Sequence, residues 1–212
     1  MSVKEDDYVK KTFYSIYGGK VVRQWFQDDK PEGLSNLTKR VTPESKRVVW
    51  YKPYIFTGKL TNVTEKKNDA LDGVFEIHLE VDGTDVLVFK SQSGYHKSFL
   101  LRMQNFPVGE ELTFSPYNFK DREEDKRIIG MVIKDESGES IPAFYTKEDP
   151  KDLPQPTQNR KKEWNWTKVE EFLDDRFDEW YESYFAETTE EVVEGDEESP
   201  NIKDKEGDDL PF

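Results

Sequence analysis

Apolar and polar residues alternate in short stretches along most of the chain and switch to helical spacing in two places. Thr12-Phe13-Tyr14-Ser15-Ile16-Tyr17 and Lys20-Val21-Val22-Arg23-Gln24-Trp25-Phe26 are rich in β-branched and aromatic residues and flank Gly18-Gly19. Two glycines between such runs allow the positive φ angles of a tight primed turn, so a hairpin is predicted. Residues 28–36, with Pro31 and Gly33, form a loop. Residues 37–41 and 47–51 predict a second hairpin around Pro43, with Lys39, Arg40, Lys46 and Arg47 near its turn. A strand follows at 54–63, interrupted by the polar residues 65–69. Residues 74–81 alternate in part, and Asp82-Gly83 turns them into 85–90. In 93–105, Tyr95, Phe99, Leu100 and Met103 fall at helical spacing, with Ser93 placed to cap. Pro107 and Gly109 end that helix. Strand character returns at 111–119 and 126–134, and a turn at Ser137-Gly138 leads toward a last strand at 140–146.

Without the N-terminal hairpins the order is strand, strand, strand, helix, strand, strand, which is the order of an OB-fold. Short strands with regular turns also fit other barrels or sandwiches; the OB order accounts for the helix, which a sandwich does not require. The expected class is mainly β: an OB-fold-like five-stranded Greek-key barrel with an N-terminal hairpin extension, over residues 1–149. Pro150, Pro154 and Pro156 mark a linker over 150–163 that carries Arg160-Lys161-Lys162. In 164–187, Val169, Phe172, Leu173, Phe177, Trp180, Tyr181, Tyr184 and Phe185 recur every three or four residues, opposite an acidic face. Thr167-Lys168-Val169-Glu170 has the form of a capping box. This helix is expected to cap the barrel, the alternative being a second copy or another protein. Residues 188–212 read as a disordered acidic tail.

Charge changes the picture. The formal net charge is −14, but residues 163–212 alone hold 4 Lys/Arg against 19 Asp/Glu. Residues 8–67 hold 13 Lys/Arg against 5 Asp/Glu, a net of +8. A basic surface with an acidic tail is the implied arrangement. There is no cysteine, no apolar signal region follows Met1, and no apolar run approaches membrane-spanning length, so a cytoplasmic location is expected.

The residues that could carry catalysis are sparse. His78 and His96 are the only histidines, no zinc spacing occurs, and neither a Walker loop nor a nucleophile elbow is present. His78 alternates with apolar residues and reads as a solvated-face residue. A non-catalytic protein without cofactor or metal is expected. A Mg²⁺ nuclease built on the many carboxylates is a distant alternative.

The positive signal is cations interleaved with aromatics. Tyr14, Tyr17, Trp25, Phe26, Trp50, Tyr51 and Tyr54 lie among Lys20, Arg23, Lys39, Arg40, Lys46, Arg47 and Lys52. Aromatic stacking on an unpaired base is worth about 1–3 kcal/mol, and Lys and Arg gain from releasing counterions. A protein using both prefers single strands, because a duplex hides its base faces. Aromatics are also ordinary strand residues, so some of these belong to the core. The candidate strand-binding set is Tyr17, Lys20, Arg23, Trp25, Lys39, Arg40, Lys46, Arg47, Trp50, Tyr51 and Lys52. Tyr95, Lys97, Tyr117, Phe119 and Arg122 are secondary candidates.

The chain ends in Asp208-Asp209-Leu210-Pro211-Phe212, two carboxylates beside an apolar tip. With the Tyr-x-Gly-Gly-Lys hairpin, the basic second hairpin, the OB-like order and the aromatic acidic segment, it resembles a phage-type single-stranded DNA-binding protein. The resemblance spans nearly the whole chain, but its specific motif is the terminal one. It implies a protein that coats single-stranded DNA without sequence preference in phage replication, recombination or repair. It also implies that Asp208, Asp209, Leu210, Pro211 and Phe212 recruit polymerase, primase or helicase. The long Gly/Gln-rich tether of the bacterial tetramer is missing, so tetramerisation is not implied, and a homodimer stays open. From another class, an acidic interaction or DNA-mimic protein that binds basic proteins and no DNA accounts for the tail. It leaves the Lys/Arg–aromatic clustering unexplained.

Overall fold

The computed structural model describes residues 9–42, 47–68, 74–121, 126–162 and 164–193. The strands are β1 (Thr12–Tyr17), β2 (Lys20–Phe26), β3 (Thr38–Val41), β4 (Val48–Tyr54), β5 (Phe56–Asn68), β6 (Val74–Val81) and β7 (Asp85–Lys90), then β8 (Glu111–Lys120) and β9 (Arg127–Lys134). A short pair, β10 (Thr157–Gln158) and β11 (Trp164–Asn165), stands apart. The helices are α1 (Gly94–Leu100) and α2 (Thr167–Val193). β1 to β9 form one sheet in the order β3-β4-β2-β1-β7-β6-β5-β8-β9. β1 and β7 run parallel, while the other adjacent strands run antiparallel.

The sheet curls into a half-barrel, and close approaches of backbone fix the curl. Gly18 and Gly19, at φ 59° and 73°, make the β1–β2 turn, and Gly19 rests directly on β8. A Cβ at Gly19 would lie 2.5 Å from the Asn118 nitrogen, so the contact admits only glycine. The β6–β7 turn is held in a similar way. Asp82 and Gly83 sit at φ 50° and 68°, as the sequence predicts, and the Asp82 carboxylate accepts the Lys59 N–H at 2.9 Å. Gly58 lies beneath that carboxylate at φ 152°, where a Cβ would be 2.3 Å from Asp82 Oδ2.

The hairpin strands pair where alternation places them, and the Gly18-Gly19 and Asp82-Gly83 turns form as expected, but several boundaries move; the turn expected around Pro43 lies outside the described residues. The hairpin extension is no appendage. The β1–β7 ladder, Thr12 to Asp85 through Ser15 to Val88, makes it continuous with the rest of the sheet. The polar residues from Glu65 onward do not interrupt β5, which pairs with β6 as far as Asn68. A ladder needs only backbone groups, and Glu65, Lys66 and Lys67 point to solvent. The last strand expected at 140–146 is reduced to a Lys134–Ser140 bridge. Pro142 offers no N–H, and the Phe144 N–H goes instead to Leu101 O at 2.7 Å. Ser93 caps α1 as predicted, its hydroxyl accepting the His96 N–H, but the helix stops at Leu100 and a 3₁₀ turn, Met103–Asn105, takes over.

α2 buries its aromatic stripe in the same core as the sheet. Val169, Leu173, Trp180 and Tyr184 are buried with Phe99, Leu100, Met103 and Phe106. Trp180 meets Phe99 edge-on at 5.7 Å and Phe106 at 6.0 Å. The Tyr184 hydroxyl donates to Pro107 O, and that of Tyr181 to Asn62 Oδ1. The helix start departs from the expected capping box. Thr167 is already helical and gives its N–H to the Asn165 carboxamide at 2.9 Å. The acidic face remains outside, with Glu171, Asp175, Asp178 and Glu182 exposed.

Three outcomes follow. Gly58→Ala should cost about 1–3 kcal/mol in urea unfolding, because both the φ and the Asp82 contact oppose a side chain. Trp180→Ala should cost about 3–5 kcal/mol, whereas a helix merely waiting for a partner would lose almost nothing. Burial, and secondarily the Glu110 carboxylate, push the Tyr184 hydroxyl from 10.0 up to about 12. The folded pKa lies above the unfolded one, so the stabilisation is complete below pH 10 and is lost as pH rises toward about 12. Unfolding curves across that window should fall less steeply for Tyr184→Phe than for the natural chain.

Candidate nucleic-acid interface

Residues opposite one another on paired strands share a face, and neighbours along a strand alternate. The register therefore sorts the basic and aromatic side chains of β1–β4. Val21 pairs with Tyr54, Arg23 with Lys52, and Trp25 with Trp50, which in turn pairs with Lys39. Val21 belongs to the main core, so this is the inner face of the sheet carried outward. Tyr17 pairs with Lys20, Gln24 with Tyr51, and Phe26 with Val49, which pairs with Arg40. These occupy the outer face.

The sequence-selected set is thus divided in two. Arg23, Trp25, Lys39, Trp50 and Lys52 are inner, while Tyr17, Lys20, Arg40, Arg47 and Tyr51 are outer. Lys46 lies outside the described residues, as do Arg122 and the terminal Asp208, Asp209, Leu210, Pro211 and Phe212.

On the inner face Trp25 and Trp50 sit directly opposite each other in the β2–β4 register, with cations on both rings. The Arg23 guanidinium lies 5.2 Å from the Trp25 ring centre. Lys30 lies 4.3 Å and Lys39 5.8 Å from that of Trp50, and Lys52 lies 5.6 Å from that of Tyr54. The Trp50 indole N–H donates to Gln27 Oε1 at 3.0 Å, which fixes its ring plane. Closer to the core, Tyr14 meets Tyr54 and Phe56 edge-on at 5.4 and 5.5 Å. Burial, then the Asp85 carboxylate, raise the Tyr14 hydroxyl above its usual range, so it stays neutral and serves as packing.

On the outer face Arg40 lies 4.1 Å over Tyr17, and Tyr17 meets Tyr51 at 5.2 Å. Val22 and Val49 are buried on this face. Arg47 approaches Phe26, which is 52% exposed, at 5.9 Å.

Lys30 and Gln27 escape sequence selection. Gln27 opens the 3₁₀ turn Gln27–Asp29 and Lys30 follows it, and the i to i+3 spacing puts them on one side, but nothing in their types marks the loop. The secondary candidates scatter. Tyr117 and Phe119 pair at 5.7 Å on β8, beside the Gly19 contact. Tyr95 is half-buried. Lys97 stacks 3.9 Å from Trp166 in a pocket of about 300 Å³ between α1, α2 and β6, where burial lowers its pKa. His78, expected on a solvated face, is largely covered. Its ring lies 6.2 Å from Phe13, and burial, then Lys66, lower its pKa.

Among the described residues no group of three or more His, Asp or Glu is placed to hold a metal ion. No helix among them is long and apolar enough to cross a membrane. No protein-family model matches the chain, and neither a curated protein nor a solved structure matches it significantly.

Proposed function

We propose that the protein binds single-stranded DNA without sequence preference, along the inner face of β2, β3 and β4. The observation that carries this is the Trp25–Trp50 cross-strand pair, ringed by Arg23, Lys30, Lys39 and Lys52. Indole faces give bases a stacking surface that every sequence can use, and the cations give the phosphates a track. The cations now resting on the rings are positioned to slide onto phosphates as bases take their place. β5 to β9 with α1 fit an open OB-type barrel, in which β5 pairs first with β8 and then with β6. On this reading β1–β4 enlarge that barrel into a longer binding surface.

The terminal Asp208-Asp209-Leu210-Pro211-Phe212 then serves as the recruiting segment. Its carboxylates meet basic side chains while Phe212 enters a pocket on a replication protein. Coating of strands exposed in phage replication, recombination or repair, in the host cytoplasm, is the setting this reading gives. The acidic outer side of α2 favours a second reading, an acidic module for basic proteins, which requires no strand binding.

Fluorescence anisotropy of labelled oligo(dT) and a matched duplex, at two salt concentrations, separates the two. The expected result is salt-sensitive binding of the single strand and weak binding of the duplex. Trp50→Ala should weaken binding about 5- to 150-fold, the equivalent of about 1–3 kcal/mol of stacking. Lys52→Ala should flatten the log–log salt slope by about 0.7. Failure to bind either nucleic acid would transfer the assignment to the acidic module.

A further inference from the structure

The outer face of the same strands is built from the same chemistry as the inner one. Tyr17, Phe26 and Tyr51 lie there with Lys20, Arg40 and Arg47. Tyr17 and Phe26 are 40% and 52% exposed, although aromatics of this size are usually covered. The packing differs from that of a simple charged surface. The Arg40 guanidinium lies 4.1 Å over the Tyr17 ring, and Tyr17 meets Tyr51 edge-on, so the rings are held in place before any ligand arrives. Preorganised rings flanked by cations suit an unpaired base and its phosphate.

We infer that this outer face is a second single-strand site, so that one protomer holds two strands, one on each face of β1–β4. The inference rests on the inner face binding DNA as proposed above. Charge complementarity selects the occupant, because Lys20, Arg40 and Arg47 on this face attract a polyanion and repel a basic protein. The polypeptide backbone of β1–β4 separates the two sites, which keeps strands on opposite sides from competing for the same rings. A chain with this arrangement bridges strands, bringing separate single strands within reach of each other.

Native mass spectrometry of the full chain with oligo(dT) of about six nucleotides reads the stoichiometry directly, that length being near the lower end of OB-type footprints. Two strands per protomer are expected. Removing Tyr17 or Tyr51 would undo the contact between the two rings and disturb packing, so the variant of choice is Lys20→Glu with Arg47→Glu, both exposed. It should retain one strand at unchanged affinity and lose the second by at least tenfold. Arg23→Glu with Lys52→Glu should do the reverse. One strand per protomer in the natural chain, or equal weakening of both strands by the outer variant, would overturn the second site and leave the first intact. No strand bound at all would overturn both.

Discussion

The parallel ladder between β1 and β7 is the interaction on which the rest of the architecture depends. Four residue pairs, Thr12 with Asp85 through Ser15 with Val88, join two structures that each carry their own turns and register. On one side lies the antiparallel run β7-β6-β5-β8-β9, on the other β1-β2-β4-β3. β7 would otherwise offer an unpaired edge, a site for unwanted association. β1 covers it, Phe13 meets His78 across the junction, and Val21 reaches the common core. The inner face of β2–β4 is therefore continuous with the inner face of the rest of the curled sheet, which holds it in place.

The helix α2 completes the core from the other side. Its stripe from Val169 to Tyr184 sits on Phe99 and Phe106, residues of the segment between β7 and β8. This division of labour separates charge by position: apolar and aromatic groups face the sheet, and the acidic face of α2 looks outward. The cations of β2–β4 belong to a different part of the molecule, so the negative total of the sequence says little about the surface they form.

Local signals carried much of this into the sequence. Gly18-Gly19, Asp82-Gly83 and Ser93 announce their turns and cap, because φ sign and capping chemistry are properties of single residues. The stripe of α2 is legible because its spacing is regular over several turns. What stayed hidden was set by partners distant in sequence. The parallel pairing of β1 with β7 leaves no local mark. The segment after Gly138 looks like a strand until its amides find Ile133 and Leu101. The candidate site shows the same limit. Residue types pointed to Trp25, Trp50, Tyr17 and Tyr51 together, but only the register of β2 on β4 shows that the tryptophans and tyrosines face opposite ways.

Ile55, alone between β4 and β5, is 84% exposed and makes the corner between a strand of the candidate interface and the long strand β5. One residue leaves no slack. β4 and β5 behave as a single bent beam, clamped to β2 at one end and to β8 and β6 at the other. A load applied at Trp50 or Lys52 is thus delivered to the Phe56–Phe114 contact without a hinge to absorb it. β4 and β5 yield as one piece, and any local adjustment at Trp50 or Lys52 falls to the side chains.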